Sequence, residues 1–306
     1  MIVVTASSFL KHQGLCHKLT ETLSSHEIRF VSGAESYSKK DLSEILKDAD
    51  GWLIGRETCD GSLLRSLPKL RVVSKYGVGL DNIDLQAAQD CAITVAYQAG
   101  VNREAVAEHT LGLMLACLRN IGQNSQLLRQ GIWNKAGGKN LHRRRVGIVG
   151  LGHIGMSVAR LLKAFDCEIS FCDIRDRALE AEQLGLQVRS YQELLTWSEI
   201  VSFHVPLTDL TRNMLSAETL SWTQQGVYLI NTSRGEVIDQ EALKACLING
   251  HVAGAGLDVF RHEPLEDKSL YSLENIVCTP HTAGNSQEAV MAMGLAAIEG
   301  LQKVLA

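Results

Sequence analysis

Residues 145–155 read Arg-Val-Gly-Ile-Val-Gly-Leu-Gly-His-Ile-Gly, an apolar strand running into a G-x-G-x-x-G turn at Gly150, Gly152 and Gly155. A helical pattern follows in Val158, Leu161, Leu162 and Phe165, then a second apolar strand over 168–172 that ends at an acid, Asp173. Strand, glycine turn, helix, strand and acid in that order form a dinucleotide-binding fingerprint. Gly150 permits the tight turn, Gly152 lets a pyrophosphate approach the backbone, and Gly155 lets the helix close on the strand. The helix N-terminus then turns its free N–H groups toward the phosphates. Asp173 would accept hydrogen bonds from both adenosine ribose hydroxyls and repel a 2′-phosphate, so the expected cofactor is NAD rather than NADP. The guanidinium of Arg175 is the nearby group that could pair with such a phosphate.

Outward from this turn, short β-rich runs alternate with helical-period stretches along the whole chain. Before it, strands are expected at 2–5, 28–31, 51–54, 72–75 and 93–96, with helices at 14–23 and 40–47 among them. After it, strands are expected at 168–172, 200–203, 227–231, 252–257 and 276–278. This rhythm predicts an α/β protein with two Rossmann-like or flavodoxin-like domains, each built on a parallel sheet. A longer helix is expected over 102–119, with Val106, His109, Thr110, Leu113, Met114 and Cys117 recurring three or four apart, long enough to cross between domains. A last helix, 286–305, carries Ala289, Met293, Ala296, Ala297, Gly300 and Val304 along one face and is expected to return to the first domain. The predicted boundaries are 1–98 with 285–306 for a discontinuous substrate domain, and 99–284 for an inserted NAD-binding domain.

Composition narrows the function classes. The chain has 306 residues, 45% hydrophobic and 21% charged, with 30 Lys+Arg against 34 Asp+Glu and a net charge of −4. No sequence-wide positive field favours nucleic acid or an anionic membrane, which leaves a small molecule as the expected partner. No signal peptide or transmembrane run is read, and eight cysteines without a C-x-x-C pair are expected to be reduced thiols in the cytoplasm. Nothing in the pattern calls for a metal. Only four prolines occur, and three of them, Pro206, Pro264 and Pro280, sit inside motifs that matter below.

Three charged residues stand in turn-like settings just after expected strands: Arg234 in Asn231-Thr-Ser-Arg-Gly235, Glu263 in Asp258-Val-Phe-Arg-His-Glu-Pro264, and His281 in Thr279-Pro-His-Thr-Ala-Gly284. Ligands of open α/β sheets bind beside the carboxyl ends of strands. A guanidinium can bind a carboxylate and polarise a carbonyl through fixed donors. A histidine supplies or takes the proton, and a glutamate on its other ring nitrogen fixes the tautomer and steadies the imidazolium. Among the other histidines, His262 is read as structural, His204 as lining the cofactor side, and His109 with Glu108 as packing or capping groups. The run His142-Arg-Arg-Arg145 is read as a solvated basic edge.

Taken together, the chain resembles the D-isomer-specific 2-hydroxyacid dehydrogenases, in particular their phosphoglycerate dehydrogenase-like branch. Further matching stretches are Lys75-Tyr-Gly-Val-Gly-Leu-Asp-Asn-Ile-Asp84, Ala107-Glu-His-Thr110, His204-Val-Pro-Leu-Thr208 and Thr211-Arg212. The resemblance implies Arg234 as substrate anchor, His281 as acid/base and Glu263 as its orienting partner. For the cofactor it implies Gly150, Gly152, His153, Ile154, Gly155, Asp173, His204, Pro206, Thr211, Thr232, Asp258 (toward the nicotinamide carboxamide) and Gly284. For the substrate it implies Arg56, Lys75 and the Tyr76, Gly77, Val78, Gly79 turn, whose backbone N–H groups would meet a carboxylate across an interdomain cleft. Arg56 and Lys75 as a cation pair point to a second anion, and so to D-3-phosphoglycerate and 3-phosphohydroxypyruvate. Hydroxypyruvate, glyoxylate or another 2-keto acid is the alternative. The resemblance further implies a homodimer, and the stop at Ala306 is read as leaving no room for a regulatory domain. An NAD(H)-sensing corepressor of the same fold, and formate or phosphite oxidation, are competing readings that the complete Arg234, Glu263 and His281 set disfavours.

Overall fold

The computed structural model describes residues 1–265 and 268–306. The chain divides into two compact units, one of residues 1–102 with 285–306 and one of residues 103–284. The first unit continues through Asn102 because Val101 packs onto its core.

In the first unit, strands β1 (Ile2–Val4), β2 (Ile28–Phe30), β3 (Gly51–Ile54), β4 (Val72–Lys75) and β5 (Thr94–Ala96) form a parallel sheet in the order β2-β1-β3-β4-β5. The inner strands β1, β3 and β4 are short and wholly buried because both faces are covered, whereas the edge strands β2 and β5 are partly exposed. The two-residue period is visible in β1, where Val3 joins one core with Trp52-side residues such as Leu46 and Leu63, while Ile2 and Val4 join the other with Phe9 and Leu15. That second core is completed by the C-terminal helix Gln287–Leu305 through Val290, Met293, Ala297, Ile298, Leu301 and Leu305. The helix returns to the first unit as expected, with its buried stripe rotated from the expected one. Ala289, Met293 and Ala297 of the expected stripe are buried and Ala296, Gly300 and Val304 half-buried, with added Cβ atoms sitting 2.7 Å from Ala96 at Gly300 and 2.4 Å from Leu15 at Gly294.

In the second unit, β6 (Arg145–Val149), β7 (Glu168–Cys172), β8 (Gln187–Val188), β9 (Ile200–Phe203), β10 (Val227–Asn231), β11 (Val252–Leu257) and β12 (Ile276–Cys278) make a seven-stranded sheet in the order β12-β11-β10-β9-β6-β7-β8, all parallel. The order reverses between β6 and β9, and that switch point is where an open α/β sheet takes its ligand. β8, absent from the sequence reading, is a two-residue exposed edge with no apolar alternation to announce it. The long helix Arg103–Leu118 lies wholly in this unit, not across the boundary, and packs Ala107, Leu113, Met114 and Cys117 with Val146, Ile148 and Ile230. Of the basic run, His142 and Arg143 are exposed, but Arg144 donates to Glu199 at 2.6 Å and Arg145 to Gln224 at 3.1 Å. The strand has consumed half of the expected solvated edge. All eight cysteines are free thiols. Among the described residues no helix is long and apolar enough to cross a membrane.

Leu301 is fully enclosed and faces Gly51 of the central strand β3. Leu301→Ala is expected to lower unfolding free energy by about 2–5 kcal/mol in urea titrations. A loss below about 1 kcal/mol would show that the terminal helix is not part of that core.

Candidate active site

Every expected site residue of the second unit lies at the carboxyl end of one of its parallel strands. After β6 the chain turns at Gly150 with φ +91°, and an added Cβ there would lie 2.8 Å from the His204 carbonyl oxygen at the end of β9. Gly155 is needed for a different reason. It packs against the turn itself, and its Cβ would meet the Gly150 oxygen at 2.2 Å. Gly152 differs from both, since among the described residues a Cβ there would meet nothing within 4 Å. Gly152 also caps the helix His153–Lys163 without any side-chain hydrogen bond. The first N–H groups of that helix therefore lack side-chain partners beside open space, as a bound pyrophosphate requires. His153 is exposed and Ile154 half-buried on this first turn.

Asp173, at the end of β7, accepts from Leu151 N at 2.8 Å and from Arg175 N at 2.9 Å. These bonds aim the carboxylate across the glycine turn and leave lone pairs on both oxygens for ribose hydroxyls. The guanidinium beside it is that of Arg177, 3.9 Å from Asp173, while the Arg175 side chain is exposed and contributes its backbone N–H. The residues present thus fit a dinucleotide without a 2′-phosphate. In the β9 loop, the Thr211 hydroxyl donates to the Pro206 carbonyl at 2.6 Å and accepts from Thr208 N at 2.8 Å, tying the 206–211 segment into a turn.

After β10, Asn231 shapes the Arg234 turn: its side-chain oxygen accepts from Ser233 N at 3.0 Å and its amide donates to the Arg234 carbonyl at 2.9 Å. Gly235 rests on the backbone of Phe260, where a Cβ would lie 2.0 Å from the carbonyl carbon. That contact sets Arg234 against the loop carrying Glu263. Glu263 accepts from Phe260 N at 3.1 Å through Oε1 and from His281 Nδ1 at 2.8 Å through Oε2. The peptide bond between Glu263 and Pro264 is cis. His281 has φ +54°, a left-handed backbone that costs a non-glycine residue energy and must be held by its surroundings. The holding group is Asp258, wholly buried after β11. Its Oδ1 accepts from Thr279 Oγ1 at 2.6 Å and from Thr282 N at 2.8 Å, its Oδ2 accepts from Ala283 N at 2.8 Å, and its carbonyl accepts from His281 N at 2.8 Å. Asp258 therefore acts here as the brace of the 279–283 turn, which Gly284 closes.

In the first unit, Tyr76 turns its ring into the core edge-on to Phe9, with centroids 5.8 Å apart, and burial pushes its hydroxyl up to about 12. The backbone of Gly77, Val78 and Gly79 stays half-buried beside it. Arg56 is exposed after β3. Lys75 is buried, its ammonium donating to the Gly55 carbonyl at 2.5 Å and to Asn82 Oδ1 at 2.7 Å. Sequence reasoning missed Asn82, Asn231 and Thr279, whose amides and hydroxyl carry no chemistry of their own and act only through the turns they hold. It also missed the partner of His109, whose Nε2 lies 2.9 Å from Thr279 Oγ1. His262 is exposed.

Three comparisons bear on these features. A model of the family described as "D-isomer specific 2-hydroxyacid dehydrogenase, NAD binding domain" matches residues 111–283. Among curated proteins, the D-3-phosphoglycerate dehydrogenase of Mycobacterium leprae is 35% identical over 283 residues, covering 92% of this chain, and the chain spans only 53% of that protein. The glyoxylate reductase of Korarchaeum cryptofilum is 38% identical over 272 residues, 86% of this chain and 82% of its own length. Among solved structures, the D-lactate dehydrogenase of Aquifex aeolicus complexed with NAD and lactic acid superposes with a TM-score of 0.87 at 26% identity, over 98% of this chain and 93% of that one.

His204 offers a test of the β9 loop. Its Nε2 bonds Ser202 Oγ at 2.8 Å, its Nδ1 is buried without a hydrogen-bond partner among the described residues, and burial drives its pKa down to about 3. The unfolded chain takes up this proton near pH 6.5 and the folded chain does not, so stability falls as pH drops below that value, by up to about 1.4 kcal/mol per pH unit. Urea titrations at several pH values should show that slope in the native sequence and a shallower one in His204→Asn. Equal slopes would show that His204 titrates freely in the folded protein.

Proposed function

The chain belongs to the D-isomer specific 2-hydroxyacid dehydrogenase family and carries its NAD binding domain, and from this premise we propose that it interconverts a 2-hydroxy acid and its 2-keto acid with NAD(H). The observation that carries the proposal is the His281 Nδ1 to Glu263 Oε2 bond of 2.8 Å, in the same unit as a dinucleotide turn and Arg234. Bound at the Gly150–Gly155 turn, NAD supplies the hydride acceptor in one direction and the donor in the other. Glu263, an acceptor, fixes the Nδ1–H tautomer of neutral His281 and so makes Nε2 the nitrogen that takes the hydroxyl proton. In reduction the imidazolium returns that proton to the carbonyl oxygen, and Glu263 balances its charge. Arg234 anchors the substrate carboxylate and polarises the carbonyl. The second unit holds the cofactor and the first unit serves the substrate.

D-3-phosphoglycerate with 3-phosphohydroxypyruvate is the proposed substrate pair, with Arg56 as the phosphate contact and the Tyr76–Gly79 backbone for the carboxylate. One observation favours a second reading, hydroxypyruvate or glyoxylate: the Lys75 ammonium already bonds Gly55 and Asn82. NADH oxidation with phosphohydroxypyruvate, hydroxypyruvate, pyruvate and glyoxylate separates the two. A phosphate-selective enzyme should lose affinity for phosphohydroxypyruvate about tenfold or more in Arg56→Ala, whereas equal rates across the panel and an indifferent Arg56 establish the second reading. In either case His281→Ala should cut kcat by about 10²–10⁴. Folded protein that oxidises NADH with no 2-keto acid would refute the activity.

Two copies are further proposed to pair. The helix Ile121–Arg129 buries none of its residues, and Ile121, Leu128, Ile132 and Trp133 are 54%, 57%, 50% and 77% exposed, an apolar surface that a second copy would cover. Sedimentation should give twice the chain mass for the native protein and the single-chain mass for a Leu128→Glu, Trp133→Glu variant. A monomeric native protein would refute the pairing.

A further inference from the structure

We propose that His109 is a positioning residue for His281, acting through Thr279 and Asp258. The proposal rests on the reading of His281 as the acid/base.

The direction of each hydrogen bond follows from counting protons. Asp258 accepts backbone N–H groups on both oxygens, from Thr282 on Oδ1 and Ala283 on Oδ2, so it serves as acceptor throughout. Thr279 has one hydroxyl proton, and at 2.6 Å it goes to Asp258 Oδ1. Thr279 Oγ1, 2.9 Å from His109 Nε2, can then only accept. His109 must carry its proton on Nε2 and donate it. The result is a one-way chain of hydrogen bonds, His109 to Thr279 to Asp258, with His109 Nε2 itself 3.6 Å from Asp258 Oδ1, and Asp258 holds Thr282 and Ala283 and, through its carbonyl, the N–H of His281.

The helix that carries His109 is a rigid support. Val106, Ala107, Thr110 and Leu113 are buried around it, and the next side chain, Thr110, makes a parallel link. Its hydroxyl donates to the Val106 carbonyl at 2.7 Å and so accepts from Thr232 Oγ1 at 2.8 Å. Two consecutive side chains of the helix thus tie down the residues just past β10 and β12, which are the strands that lead to Arg234 and His281. This gives the Ala107-Glu-His-Thr110 stretch a task that packing or capping does not describe. The His281 backbone is left-handed, two residues beyond Thr279, and any freedom gained at Thr279 is transmitted to the imidazole direction and to its bond with Glu263. Misplacement on the ångström scale is costly to proton transfer.

The test uses the 306-residue chain with four single variants and one double variant. His109→Leu keeps bulk and removes the donor; His109→Gln returns an amide N–H near the Nε2 position; Thr279→Val removes the relay; His281→Ala is the control. Expected results are a fall in kcat of about tenfold for His109→Leu with KM for NADH within about twofold, and recovery of most of it by His109→Gln. The double variant His109→Leu, Thr279→Val should lose no more than the worse single one, because both cut the same chain. A second readout needs no substrate: the downfield Nδ1 proton resonance of His281, identified by its disappearance in His281→Ala, should shift or broaden in His109→Leu and return in His109→Gln. An unshifted resonance, a kcat within twofold of the native value, or a glutamine as poor as leucine would overturn the proposal. Normal turnover in His281→Ala would instead overturn the acid/base reading, leaving the resonance to decide whether His109 positions the imidazole.

Discussion

A carboxylate with no exposed surface must find every hydrogen bond within the protein, and Asp258 finds its own in the five residues from Thr279 to Ala283. That requirement shapes the site. Two adjacent backbone N–H groups can reach the two oxygens only if the chain wraps around the carboxylate, and the wrap places His281 in a left-handed conformation. Unfavourable in isolation, that conformation is outweighed by bonds that would otherwise go unmade, each worth on the order of 1–3 kcal/mol when buried. The imidazole is consequently aimed by the backbone before Glu263 touches it. Glu263 then selects its tautomer.

A similar logic of close approach governs the glycines. Gly150, Gly155 and Gly235 each lie where a single Cβ would collide with backbone that cannot move aside, the His204 carbonyl, the Gly150 carbonyl and the Phe260 carbonyl respectively. The Gly150 and Gly235 contacts each join two segments from the carboxyl ends of neighbouring strands, and the Gly155 contact closes the helix onto its own turn. Gly152 is the exception, since among the described residues nothing lies within 4 Å of the place its Cβ would take. Strand order supplies the coarse alignment and these contacts supply the fine one.

Much of this was legible in the sequence because its physical causes are local or periodic. Strands show as short β-rich runs, and among the described residues eleven of the twelve were readable that way, the partly exposed β2, β5 and β12 included; β8 was not, since two exposed edge residues carry no period. The glycine turn, Asp173, Arg234, Glu263 and His281 announce themselves by residue type next to a strand end. What escaped depends on distance in sequence. The carboxylate of Asp258 was expected to face a ligand, and its bonds to Thr282 and Ala283 could not be inferred from spacing. Lys75 looked like one of a cation pair until Gly55 and Asn82 were seen to hold it. Arg177 rather than Arg175 stands by Asp173 because a backbone turn between them directs the nearer side chain outward. The terminal helix was assigned to the right core but rotated, since small residues on both sides of Gly294 blur the stripe.

The division of the chain at 102 and 284 also orders events during synthesis. The second unit is contiguous, so all of its sheet partners have left the ribosome once residue 284 emerges. The first unit is not: Ile2, Val4, Phe9 and Leu15 wait for Met293, Leu301 and Leu305 to close their core. Domains fold as units, ordinarily from the N-terminus onward. In this chain the part made first is closed last: its apolar face stays open until residues 285–306 emerge, after the last strand of the second unit.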